Sequence, residues 1–163
     1  AIDLGILKAK HSLEVGNVDD AVAQIAQLQK INSSDSSMLE DVYQMLVNAG
    51  SAKKAGELFQ TTYATCKAIV DQFPDRAQHH NNLAWLLSRC ARQLDEGLKH
   101  ANMAVDSEPE NGAFLDTLAE VHFQLGDRSK AVAISEKAVA ILNDDAQVRR
   151  QLERFKNGKP ADR

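Results

Sequence analysis

The side chains with the widest chemical repertoire are His79, His80, His100 and His122, with Cys66 and Cys90. These are the donor types of a zinc site, but their spacing argues against one. Ten residues separate His80 from Cys90; on a helix that is a rise of about 15 Å, too far for one ion to take both. His79 and His80 are adjacent, so on a helix they point to different faces. No metal and no cofactor is expected. Serine, histidine and aspartate are all present, yet there is no nucleophile motif and no glycine-rich phosphate loop. The chain therefore reads as no enzyme. The two cysteines are too few for a disulfide framework and read as small, partly buried hydrophobes. What remains is a recognition pair: Trp85 and Arg89 stand one helical turn apart, a combination common at binding hot spots.

Composition bounds what such a pair can recognise. The 163 residues are 44% hydrophobic and 26% charged, ordinary for a folded protein. A formal charge of −4 and a pI near 5.7 lack the basic footprint that phosphate binding requires, so nucleic acid is not an expected partner. No apolar stretch reaches the roughly 18–20 residues of a membrane span, no secretory leader is visible, and a cytoplasmic setting is expected. The chain begins at Ala1 rather than at a methionine, which reads as a domain of a larger protein or assembly.

The elements that position these residues follow from one spacing. Gly16 and Gly50 lie 34 residues apart, as do Ala21 and Ala55, and the same pair returns as Gly126 and Ala131. A turn glycine and a small residue recurring at this interval mark stacked helix–turn–helix units. Good helix formers fill the stretches between, and period-two alternation is missing, so no strands are expected. Gly16-Asn17 closes a first helix, and Asp19 and Asp20 suit the first turn of the next. Asn32–Ser37 is a polar connector rich in capping residues. A long helix of about 22 residues runs to Phe73, where Pro74 stops it. Pro109 marks a later break. Asn143, Asp144 and Asp145 cap a final polar helix, and a frayed tail follows from Gly158.

These residues resemble the tetratricopeptide repeat family. The best match is Leu115, Leu118, Ala119, Gly126-Asp127, Ala131 and Ala138, followed by Val139 and Leu142. Small residues sit where antiparallel helices cross closely. The preceding unit, Leu83-Ala84, Gly97, Ala104 and Pro109, replaces the turn glycine with Ala91-Arg92-Gln93, one residue longer. The second unit departs most, with Tyr43 at a normally small position and Thr62 for the second alanine. From Ala55 to Gly97 is 42 residues rather than 34, so eight are inserted, seven of them in the long helix; an extended helix near Tyr63–Phe73 and a change of superhelical path are expected there.

The resemblance implies an all-α, right-handed α-solenoid of antiparallel helix pairs with a C-terminal capping helix. One repeat domain over 1–157 is expected, with repeats near 2–34, 36–74, 76–110 and 112–143, a capping helix over 144–157 and a flexible tail over 158–163. In such arrays the first helix of each pair lines a concave groove that holds an extended peptide or a partner helix. Carried over, the groove candidates are Lys10 and Glu14, then Glu40, Gln44 and Asn48. Asn81, Trp85 and Arg89 follow, and finally Asp116, Glu120, Phe123 and Gln124. Chaperone-binding members clamp a terminal carboxylate with lysine, asparagine and arginine. Here the corresponding places hold Ile6 and Lys10, then Gln44, Asn81 with Trp85, and Asp116 with Glu120. The clamp is missing, and acidic side chains at that end favour a basic segment. The expected role is a non-catalytic protein-interaction scaffold. The alternatives are a homodimer module, or an accessory domain of an enzyme or sensor lying outside this chain.

Overall fold

The computed structural model describes residues 2–31, 37–143 and 145–158. Asn32–Ser36, Asp144 and the tail beyond Gly158 lie outside the described residues. Among those described, the chain forms α1 (Ile2–Glu14), α2 (Val18–Ile31), α3 (Ser37–Asn48), α4 (Ala52–Gln72), α5 (Ala77–Arg89), α6 (Leu94–Ser107), α7 (Gly112–Gln124), α8 (Arg128–Ile141) and α9 (Ala146–Asn157), with no strand. They fall into two compact units, Ala1–Gln72 and Phe73–Arg163. The boundary coincides with the end of the long helix.

One turn shape joins the two helices of every pair. At Gly126 the backbone enters the left-handed region (φ +89°), its N–H donates to Phe123 O at 3.0 Å and the next N–H, of Asp127, donates to His122 O at 2.9 Å. This pair of hydrogen bonds satisfies helix-end carbonyls that would otherwise be orphaned. Gly16 and Gly50 repeat it, at φ +80° and +73°. The third pair makes the same two bonds without a glycine: Ala91 N–H to Ser88 O at 3.0 Å and Arg92 N–H to Leu87 O at 2.9 Å, with Ala91 at φ +49°. A second left-handed residue, Gln93 at φ +47°, takes up the extra position before α6.

In the first unit, α1 packs on α2, α3 on α4, and α1 on α3. Ala9, Ala21, Ile25, Leu39, Leu46, Ala55 and Phe59 are all but inaccessible. Tyr43, where Ala9 stands in the first pair, meets Phe59 edge-on at 6.3 Å, and Phe59 stacks on Tyr63 at 5.8 Å. The larger side chain is accommodated by an aromatic cluster. Thr62 is buried too, its hydroxyl satisfied by Leu58 O at 3.0 Å. α4 has 21 residues where α2, α6 and α8 each have 14, which places the seven-residue excess inside the helix. That excess carries the buried Cys66 and Val70.

The second unit holds two complete pairs and α9. Ala84, Ala101, Leu118 and Val121 form one cluster; Ala77, Ala104 and Phe114 form another. Small residues on α5 and α6 thus receive large ones from α7. A Cβ added at Gly97 would lie 3.3 Å from Leu87 Cβ, so α5 and α6 touch nearly backbone to backbone there. Asn111, Asp127 and Asp145 cap α7, α8 and α9 through side-chain oxygens. α9 buries Val148, Leu152 and Phe155, and Phe155 packs on Ala119, Phe123 and Ala131. Its remaining residues are mostly polar, as the open end of a helical stack requires.

Candidate functional site

Asn81, Trp85 and Arg89 lie one turn apart along α5, and Asp116, Glu120 and Gln124 lie one turn apart along α7. Asn81 and Asp116 each precede their turn residue, Ala91 and Gly126, by ten positions. They are therefore equivalent places on two first helices that pack directly on each other. α9 continues the series: Arg154 stands 34 residues after Glu120, and the two form an ion pair.

Glu120 is inaccessible, yet richly paired. Arg154 holds one carboxylate oxygen, Gln124 Nε2 donates to the other at 2.8 Å, and Arg89 lies 3.8 Å away. Buried ionic groups survive only with such pairing. The Arg154 guanidinium also lies 4.9 Å from the ring centres of both Phe123 and Phe155, and that of Arg89 lies 5.5 Å from Trp85. Asp116 is held more loosely: Gln151 Nε2 donates to its Oδ2 at 3.3 Å. Burial raises its pKa to about 7, the nearby negative charge of Glu120 adds to the rise, and Arg154 and Arg89 oppose it.

Three buried polar atoms on this face have no hydrogen-bond partner: Asn81 Oδ1, Arg89 Nε and Asp116 Oδ1. Trp85 is half-buried beside them. Phe123 is a correction to the expected groove set. Its ring is wholly buried, packed at a tilt against Phe155 with centroids 4.8 Å apart beneath the capping helix, and meets no solvent. Glu120 and Gln124 are likewise enclosed; they hold arginines in place. The earlier candidates belong to the first unit. Lys10 is half-buried and Glu14 exposed beside a cleft of about 560 Å³ that Leu7, His11, Ser12 and Gln24 also line. Gln44 and Asn48 are exposed and bonded to each other at 3.1 Å. The side chain of Glu40 lies outside the described ones.

Residue types alone did not single out Gln151 and Arg154. For Arg154 the signal was the 34-residue period from Glu120, which carries on one step past the last full repeat; Gln151, 35 residues after Asp116, falls one position off it. A second unforeseen feature is a buried histidine pair. His80 and His100 stack at 5.0 Å with their Nδ1 atoms 2.8 Å apart, and His80 Nε2 lies 2.7 Å from Pro74 O. A carbonyl accepts only, so His80 carries a proton on Nε2, and one of the two Nδ1 atoms donates to the other. Among the described residues, no group of three or more potential ligands is placed to hold a metal ion, and no helix is long and apolar enough to cross a membrane.

No family sequence model matches the chain. Solved structures align over nearly its whole length. TTC0263, a thermophilic TPR protein of Thermus thermophilus, aligns with 95% of this chain and 81% of its own at 19% identity (TM-score 0.55). MamA from residue 41 to its end, from Desulfovibrio magneticus RS-1, aligns over 95% and 83% at 14% identity (TM-score 0.54). YrrB, a TPR protein with an unusual peptide-binding site, aligns over 91% and 90% at 15% identity (TM-score 0.50). At these identities the likeness is one of fold. The chain has an all-α helical-repeat fold like that of these TPR proteins.

Proposed function

We propose that this chain is a non-catalytic protein-interaction scaffold that holds an extended peptide on the α5–α7–α9 face of its second unit. One observation carries the reading: Asn81 Oδ1, Arg89 Nε and Asp116 Oδ1 are buried without partners beside the half-exposed Trp85. Two missing donors and one missing acceptor are what a peptide supplies, since each residue brings an N–H and a C=O. Leaving such groups unpaired costs about 1–3 kcal/mol each, so a ligand that satisfies them recovers that energy. Trp85 offers a flat apolar contact, the kind of anchor on which binding energy concentrates. The comparison proteins support the fold that such a scaffold uses, and YrrB is described as having a peptide site.

The test is a peptide array incubated with wild type and with the Trp85→Ala, Arg89→Ala double variant, both shown to be helical by circular dichroism. Loss of the bound set in the double variant is expected. An unchanged set would remove this face as the site.

A second reading, self-association, rests on α1. Leu4, His11 and Val15 lie twelve, five and one positions before Gly16, as Phe114, Val121 and Leu125 do before Gly126. In and just after α7 those residues pack on the preceding pair; in and just after α1, Leu4, Leu7 and Val15 are 57–64% exposed. A second copy meeting this stripe would bury it. Light scattering at two concentrations, with Leu4→Glu plus Leu7→Glu as control, decides: a monomeric mass throughout removes this reading.

A further inference from the structure

The geometry points to a seat for a lysine ammonium of the partner between Asn81 and Asp116, with Trp85 alongside its stem. This rests on the peptide reading above and specifies which side chain the peptide must bring.

Asn81 is buried to all but 8% of its surface, and its Oδ1 has no donor. Asp116 Oδ1, at the equivalent position on the neighbouring helix, has none either. Two acceptors on adjacent helices therefore lack donors at one level of the stack. Glu120, one turn further along α7, is already satisfied by Arg154, Arg89 and Gln124. Asp116 differs, since the one bond the structure gives its carboxylate comes from the neutral Gln151 amide. It is the carboxylate of this face that no cation pairs directly.

A lysine head group fits this demand best. An ammonium carries three donors, no acceptor and a compact charge. A guanidinium favours both oxygens of one carboxylate, and Asp116 Oδ2 is already engaged by Gln151. A terminal carboxylate would set a third acceptor beside two that lack donors. The aliphatic stem of the lysine reaches the seat past Trp85, one turn from Asn81 on α5, where apolar contact with the indole favours it. The arriving cation also favours the ionised form of Asp116, which displaces its proton near neutral pH.

Trp85 is the one tryptophan of the chain, so its emission reports on the seat. The probe is a blocked decapeptide alternating lysine and serine, titrated into the full chain to about 1 mM. The control is the same peptide with every lysine ε-acetylated. The lysine peptide is expected to shift Trp85 emission saturably and the acetylated one not. With Asp116 titrating near 7, binding should tighten about tenfold between pH 6 and pH 8. Asp116→Asn should weaken it about tenfold at pH 8 and abolish the pH dependence, and Asn81→Ala should weaken it several-fold with the pH dependence kept. Equal responses to both peptides would overturn the seat while leaving the peptide reading intact. An undiminished response in Asp116→Asn would also overturn it, marking mere attraction to an acidic surface. No response to the lysine peptide would overturn it as well, and the array would then decide the peptide reading alone.

Discussion

Asp116 differs from the other carboxylates of its face in being buried without a direct cationic partner, and this has a consequence for stability. Its carboxyl titrates near 3.8 when unperturbed and near 7 in the fold, chiefly through burial. Below pH 3.8 both states are protonated. Between the two values the folded chain keeps a proton that the unfolded chain has released, so stability falls as pH rises through this window and is level above it. Asp116→Asn removes the slope. Urea unfolding is expected to give the variant about 1–3 kcal/mol over wild type at pH 8, and no advantage near pH 4. An equal difference at both values would mean that titration of Asp116 is not the cause. Little of this was visible in residue types. Asp116 and Glu120 read as one acidic pair, and only the structure separates the carboxylate held by two arginines from the one held by an amide. Phe123 was misassigned for a related reason. A phenylalanine on the first helix of a pair suits a groove or a cap contact equally, and the choice was made by Phe155, 32 residues away.

At the scale of elements, the sequence was most legible where backbone geometry constrains residue choice. Turn glycines at 16, 50 and 126 all occupy the left-handed region, and the 42-residue interval announced the extra length of α4 to the residue. The third turn broke the pattern. Ala91 sits where the others have glycine, at φ +49°, and makes both hydrogen bonds of the motif. A non-glycine residue in this region carries a cost of about 1–2 kcal/mol, partly offset because glycine loses more entropy on folding. Ala91→Gly is therefore expected to stabilise the fold by about 0.5–1 kcal/mol, read as a higher urea midpoint at unchanged slope. A lower midpoint would indicate that the alanine methyl makes a contact outweighing its backbone strain. The His80–His100 pair was illegible for the opposite reason. It needs two helices at a particular rotation, and no local rule of spacing carries that information.

For the whole molecule, periodicity in sequence suggested one continuous array, because it records the likeness of successive units and not the strength of the packing between them. The contacts group the chain into Ala1–Gln72 and Phe73–Arg163. Among the described residues, four apolar clusters of the second group draw their members from Ala77 to Phe155. Its C-terminal half is also provided for: Asn111, Asp127 and Asp145 cap α7, α8 and α9, and α9 covers Phe123 through Phe155. Repeat arrays are stabilised by each unit and its nearest neighbours, so a segment holding two pairs and a cap contains most of the terms that stabilise it. A fragment spanning 73–158 is accordingly expected to be helical and to melt cooperatively by circular dichroism, with the Trp85 emission of the full chain. A fragment of this size is small for a single core, which makes the outcome informative. If it proved unfolded while the full chain folds, the clusters confined to 77–155 would be insufficient, and residues before Phe73 would be required for the stability of the face that carries Trp85.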